Sequence, residues 1–185
     1  DVPSPLGPWI RSPADARVSR LLFLPLLAAD GDEARRGEVA GQLAAGLEST
    51  DLGRRLIVRV KPDVAWSDGS RATSAVDVAR TLIDRCDPQN PAKYQARWAE
   101  LLDRVEPSGD GRLELRLKQP LLKPAFWLDA PVGPAHAGFD GRVIVSAQRR
   151  ELVGNGPFTA AVSTPRMIEL RARSESSAGL PTPKL

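Results

Sequence analysis

Histidine and cysteine are almost missing from this 185-residue chain, which has one of each, His136 and Cys86. A lone cysteine excludes an internal disulfide, so the redox compartment cannot be read from pairing. Cys86 falls among apolar residues at helical spacing, and core packing is its simplest role. His136 sits in a loop-like stretch with no Glu-x-x-His, no Cys-x-x-Cys and no second histidine. A metal site of the usual nitrogen and sulfur kind therefore has almost no ligands, and no cofactor is implied. A serine nucleophile would have His136 as its sole conventional base, and no Gly-x-Ser-x-Gly elbow surrounds any serine. Asp30 and Asp32 flank a glycine, the pattern of a solvated loop rather than of paired catalytic acids. Enzymatic chemistry is not expected.

Long apolar runs are missing too. Leu21 to Ala29 is far shorter than the roughly 18 residues expected of a membrane span and contains Pro25. The N-terminus lacks the charged, apolar and small-residue zones of a signal peptide, which an exported protein would have lost in any case. Charge of one sign is scarce: 26 basic against 23 acidic residues leave a net +3. No aromatic and basic residues interleave as a stacking groove for nucleic acid requires, so nucleic acid is not an expected partner. With 42% apolar and 26% charged residues, the chain reads as one soluble globular core.

The most informative stretch is Trp66-Ser67-Asp68-Gly69 followed by Ala72-Thr73-Ser74-Ala75-Val76-Asp77-Val78. Arg55 to Val60 alternates as a strand does, and Asp68-Gly69 supplies turn residues. Thr73 or Ser74 can cap a helix, with the Asp77 carboxylate near its positive end. Ala75, Val78, Ala79, Leu82 and Cys86 then form an apolar stripe, with Arg80, Asp84 and Arg85 expected to face away. Asn90-Pro91 reads as the cap of a second helix carrying Tyr94, Trp98, Leu101, Leu102 and Val105, with Glu100 and Arg104 as an exposed pair.

Strict alternation at Leu113, Leu115 and Leu117 marks a strand after the turn Ser108-Gly109-Asp110-Gly111. A short helix is expected at Phe126, Trp127 and Leu128, and loop from Pro131 until Arg142 to Ser146. A last hairpin should pair Phe158–Val162 with Met167–Arg173 around Thr164-Pro165. Gly154-Asn155-Gly156 precedes proline and a strand instead of a helix, so it is a turn rather than a phosphate loop. At the start, Pro3, Pro5, Pro8 and Pro13 around Trp9 suggest an extended arm over residues 1–20, and Ala14 to Ala28 carries a helical stripe. Residues 174–185 read as an unstructured tail.

In order and spacing, four features resemble the family 5 extracellular solute-binding proteins. They are Gly41 to Glu48 with Leu56 to Val60, the Trp66 to Gly69 turn, Tyr94 with the Leu113–Leu117 hairpin, and Gly154-Asn155-Gly156-Pro157-Phe158 before Ile168-Glu169-Leu170. That family delivers peptides or nickel chelates to ABC importers. The resemblance, over residues 21–173, implies an α/β (mixed α+β) lobe like those of periplasmic binding proteins, with a mainly antiparallel sheet and helices on one face. It also implies a strand at Glu38-Val39, a second lobe beyond residue 185, an ABC permease as partner of the full-length protein, and a periplasmic or extracellular location, with any membrane anchor outside this chain.

Within such a lobe the signature residues Trp66, Asp68, Gly69, Thr73, Asp77, Gly154, Gly156, Pro157 and Phe158 are architectural. Solute would approach Arg97 and Trp98, a carboxylate-pairing fork and a stacking face, and then Val132 and Gly133. The apolar stripe also accounts for Trp98 as core. The other function in view is a sensory or interaction module of a larger regulatory or cell-surface protein.

Overall fold

The computed structural model describes residues 13–28, 40–91, 93–135, 138–139, 144–145, 152–163 and 168–173. Helix α1 (Pro13–Leu22) is followed by β1 (Leu27–Ala28), β2 (Ala40–Gly41), β3 (Ala44–Thr50), a 3-10 turn at Asp51–Gly53 and β4 (Arg55–Val60). Helices α2 (Ala75–Cys86) and α3 (Ala96–Leu101) lead into β5 (Leu102–Pro107) and β6 (Arg112–Leu117). A second 3-10 turn at Pro124–Trp127 precedes β7 (Gly138–Phe139), β8 (Ile144–Val145), β9 (Phe158–Ser163) and β10 (Ile168–Ala172).

The main sheet has the order β3-β4-β6-β5, with every neighbour antiparallel. Register places Leu56 opposite Leu115 and Val58 opposite Leu113. These side chains share one face, because alternate residues of a strand point the same way. They pack with Ala75, Val78, Ala79 and Leu82 of α2 and with Trp98 and Leu101 of α3 in one buried cluster. Each large apolar side chain so buried contributes about 1.5–3 kcal/mol. The other face is wet: Arg55 grips Glu114 with its Nε at 2.9 Å and Nη2 at 2.6 Å.

A smaller cluster holds Leu22, Phe23, Trp66, Leu152 and Val153. It exists because the Trp66-Ser67-Asp68-Gly69 turn docks on the Gly154-Asn155-Gly156 turn. Ser67 donates its backbone N–H to the Gly154 carbonyl at 2.8 Å, and Gly154 returns its N–H to the Ser67 hydroxyl at 3.1 Å. The Gly156 N–H reaches the Leu22 carbonyl at 2.8 Å. A Cβ at Gly154 or Gly156 would collide with the last carbonyls of α1, so glycine there permits a close backbone approach. Asp68 accepts the Ser70 N–H and hydroxyl, and Gly69 takes φ +68°. Trp66 is buried.

The sequence-based elements at Arg55–Val60, Leu113–Leu117 and the last hairpin are all present; the hairpin's turn at 164–165 lies outside the described residues, as do the arm through residue 12, the strand at 38–39, His136 and the tail. Other expectations are corrected. The first helix stops at Leu22 rather than Ala28, because Pro25 cannot continue it and Leu27–Ala28 pairs with Ala40–Gly41. The helix expected through Val105 spans only Ala96–Leu101, and the chain passes directly into β5, whose Leu102 and Val105 pair with Leu117 and Leu115.

Consequently Arg104 pairs with Glu106 at 2.8 Å instead of Glu100, and Tyr94 is exposed rather than in the apolar stripe. Asn90 makes a turn, its carbonyl accepting from Lys93 and Tyr94, while Gln95 occupies the cap position of α3. The expected helix at Phe126 to Leu128 is the 3-10 turn Pro124–Trp127. Arg85, expected to face solvent, is buried.

Candidate functional site

Helix α2 turns a polar row inward. Asp77, Thr81 and Arg85 lie four residues apart, on one side of the helix, and each holds the backbone of the extended segment 131–135. Arg85 Nη2 donates to the Pro131 carbonyl at 2.8 Å. Thr81 Oγ1 accepts the Gly133 N–H at 3.0 Å and lies 3.3 Å from the Gly133 carbonyl, to which it donates. Asp77 Oδ1 accepts the Ala135 N–H at 2.7 Å. The match is geometric: four helical residues rise about 6 Å, close to the ~6.6 Å spanned by two extended residues.

The two ends of this row differ in charge and in what they organise. Asp77 is 0% exposed. Its carboxylate accepts Arg71 Nη2 at 2.6 Å and Nη1 at 2.7 Å, and the Ser74 N–H and hydroxyl at 2.9 Å each. Burial alone pushes its pKa up, but the Arg71, Ala135 and Ser74 hydrogen bonds outweigh it and hold the carboxyl below its ordinary value. Ser74 is the cap residue of α2, so the carboxylate also meets the positive end of the helix dipole.

Arg85 is 3% exposed. Burial first, then the neighbouring Arg97 charge, pull its pKa down to about 10, against the opposing influence of Asp129 and Cys86. Its Nη1 donates to Gln95 Oε1 at 2.9 Å, and its own carbonyl accepts the Gln95 N–H at 2.8 Å. One side chain thus fixes the start of α3 and the 131–135 segment together. It is a positioning residue.

Arg97 lies half-exposed on the outer side of this junction. Its Nη2 is 3.6 Å from Asp129 Oδ1, and its guanidinium carbon is 5.8 Å from the Trp98 ring centroid. Trp98 itself is 1% exposed and packs in the core, in line with the apolar-stripe alternative. The Val132 N–H is consumed by the Leu24 carbonyl at 3.0 Å and the Gly133 N–H by Thr81. Of the candidate binding residues, then, Arg97 presents its side chain to solvent, beside the half-exposed Asp129. The structure brings Arg97, Trp98 and the 129–135 segment to one edge through Arg85.

Sequence reasoning missed Arg85 and Asp129. For Arg85 a signal existed, the four-residue spacing of Asp77, Thr81 and Arg85; for Asp129 there was none. Burial pushes the Cys86 thiol up, so it is packed as a thiol and not poised as a nucleophile. Among the described residues, no three His, Cys, Asp or Glu side chains gather where they could hold a metal ion. The arrangement offers a cation beside a carboxylate at a rigidly backed edge, suited to orienting a polar molecule.

No protein-family model and no curated protein matches the sequence. Solved structures do match in shape. NikZ from Campylobacter jejuni, in complex with Ni(L-His), superposes with a TM-score of 0.75 at 21% identity over 93% of this chain and 34% of its own. The oligopeptide-binding protein AppA from Bacillus subtilis, in complex with a nonapeptide, gives 0.73 at 22% identity over 94% of this chain and 35% of its own. The ABC transporter substrate-binding protein CtaP from Listeria monocytogenes gives 0.74 at 18% identity, covering 95% and 36%. The chain therefore has the fold of these binding proteins, as the resemblance implied, and spans about a third of their length.

Proposed function

We propose that this chain is a substrate-binding lobe of an extracellular solute-binding protein serving an ABC importer, with peptides as its solute class and no catalysis of its own. The observation that carries this reading is the shared fold with AppA and CtaP over more than nine-tenths of the chain. The edge built by Arg85 supports it. Arg97 supplies a planar fork for a carboxylate, while behind it Arg85 and the Gly133 amide are already hydrogen-bonded to Pro131 and Thr81. No helix among the described residues is long and apolar enough to cross a membrane. The protein works in the periplasm or outside the cell, and its full-length form docks on an ABC permease.

A binder that encloses its ligand between two lobes draws about half the walls from each, since pockets bury roughly 70–90% of a ligand's surface. The 185-residue chain alone binds peptides weakly or undetectably, and a form carrying the second lobe binds them saturably. Calorimetry with a mixed library of di- to pentapeptides tests both statements. Tight, saturable binding by the chain alone rejects the half-site, and a two-lobed form that ignores every peptide in the library rejects the solute class.

A further inference from the structure

Asp129 meets Arg97 from a firmly held stretch of chain. Its neighbours Leu128 and Ala130 are both buried in the main core cluster, and the Leu128 carbonyl accepts the Leu27 N–H at 3.1 Å. Asp129 between them keeps 44% of its side chain exposed. Arg97 is anchored from the other side, since Trp98 next to it is buried and donates its backbone N–H to the Gln95 carbonyl at 2.9 Å. Both backbones are thus fixed where the two side chains face one another, with Arg97 Nη2 3.6 Å from Asp129 Oδ1.

That separation is an ion pair without a hydrogen bond. A charge-assisted bond between a guanidinium and a carboxylate closes at about 2.7–2.9 Å, and Arg71 reaches Asp77 at 2.6 and 2.7 Å in this same chain. Asp129 Oδ1, the oxygen that faces Arg97, is shut off from solvent and accepts no hydrogen bond among the described residues. The charge of Asp129 also reaches past Arg97. Burial and then Arg97 lower the pKa of the buried Arg85, and Asp129 is the leading influence against them. Asp129 therefore supplies negative charge to a centre with two guanidinium groups, and it is held there loosely.

We propose that Asp129 is a built-in competitor at this edge: its carboxylate stands beside Arg97 where a solute carboxylate would bind, and it sets how strongly the edge favours anionic groups. The inference rests on the reading of the Arg97 edge as solute-facing. Two features favour competition over direct contact between Asp129 and a solute ammonium. The oxygen turned toward Arg97 is closed to solvent, while the arginine is half-exposed, so a solute meets the cation first. A pair that makes no hydrogen bond also gives up little when a solute takes its cation.

Titration of the intact chain with N-acetylglycine, a carboxylate without an ammonium, tests this when followed by NMR at the indole N–H of Trp98. Circular dichroism confirms that each variant folds. Asp129→Asn should tighten binding roughly 4-fold, the effect of removing one like charge about 5 Å away in a watery setting. The gain should shrink when salt is raised to about 500 mM. Asp129→Glu keeps the charge and should bind no more tightly than the unaltered chain, Arg97→Gln should abolish the response, and N-acetylglycinamide, which has no carboxylate, should give none. Unchanged or weaker binding by Asp129→Asn overturns the proposal, as does the absence of any response to N-acetylglycine. So does glycinamide binding that is lost in Asp129→Asn, which makes Asp129 a direct contact for an ammonium. In a two-lobed form, peptide binding indifferent to Asp129→Asn sinks the competitor and leaves the importer reading standing; a two-lobed form that ignores every peptide, beside a chain in which Asp129→Asn still tightens N-acetylglycine, does the reverse.

Discussion

Asn155 donates its side-chain amide to the Thr73 hydroxyl at 3.2 Å, joining segments 82 residues apart in the chain. The same side chain accepts the Leu24 N–H on its oxygen at 2.9 Å. Three stretches therefore meet on one buried amide: the exit of α1, the approach to α2, and the turn before β9. Asparagine fits because it carries a donor and an acceptor on one planar group. This is the physical content of the spacing between the Trp66 turn and the Gly154 turn.

Replacing Asn155 with alanine strands a buried N–H and a buried hydroxyl, and should cost about 2–4 kcal/mol. Asn155→Asp keeps the acceptor for Leu24 but sets a carboxylate against Thr73, and should fall between the two. Thr73→Val should cost about 1 kcal/mol alone and almost nothing once Asn155 is alanine, because the pair shares one bond. Urea midpoints of the four proteins in this cycle measure the coupling, and additive costs would show the hydrogen bond to be idle.

Acid should act through Asp77. Its folded-state pKa lies below the unfolded value near 3.9, so its stabilisation is fully present above that value and is lost as pH falls through the folded one. Glu114, held down to about 2 mainly by the Arg55 hydrogen bond, has the same sign and the same window. Stability should therefore be flat above about pH 5 and drop below about pH 4. Asp77→Asn leaves Arg71 and the Ala135 N–H without their carboxylate; it should cost about 3 kcal/mol at pH 7 and flatten the acid slope. Glu114→Gln, on the solvated face, should flatten the slope less. Urea unfolding of each variant between pH 3 and 7 reads this out, and an unaltered slope in Asp77→Asn would sink the assignment.

How far the sequence could be read depended on the range of the interaction that settles each element. Alternation at Leu113, Leu115 and Leu117 is local and strong, so that strand and its partner Arg55–Val60 were legible. So was the start of α2, where Ser74 and Asp77 lie within one turn. Leu102 and Val105 misled because they continue the helical spacing from Trp98; pairing with Leu117 and Leu115 across the hairpin converts them to strand, and a register shift between Leu102 and Arg104 hides the alternation. Arg85 misled for a similar reason. A charged residue beside an apolar stripe belongs in solvent unless something distant satisfies it, and the Pro131 carbonyl, 46 residues on, does so. The edge carrying Arg97 was thus half-visible: its residues could be named, but not the side chain that positions them.

Arg85 can be tested as a pivot by separating its structural cost from its local effect. Arg85→Met preserves much of the side-chain volume and the backbone bond from the Gln95 N–H but removes the side-chain bonds to Gln95 Oε1 and the Pro131 carbonyl, and should cost roughly 3 kcal/mol. Thr81→Val, which removes the middle rung alone, should cost about 1 kcal/mol. If Arg85 joins two elements, its loss should speed amide exchange at both Gln95 and Gly133, while Thr81→Val affects Gly133 alone. Exchange followed by NMR under native conditions distinguishes the two, and a Gln95 amide unmoved in Arg85→Met would show that the helix start is held by other means.

The β3–β4 turn offers a stabilising substitution beside a destabilising one. Leu52 at φ +53° holds a conformation that costs an L-residue about 1–2 kcal/mol relative to glycine, and its side chain stands almost wholly in solvent. Leu52→Gly should therefore raise stability by about 0.5–1 kcal/mol, once the added freedom of the unfolded chain is counted against the relieved strain. Gly53 is the opposite case: it takes φ +87° and has the Leu121 backbone where a Cβ would go. Gly53→Ala should cost about 2 kcal/mol or more, since strain and collision act together. Thermal melts of the two neighbouring variants should move in opposite directions, and a shared sign would mean that the turn does not hold the positive angles at both positions.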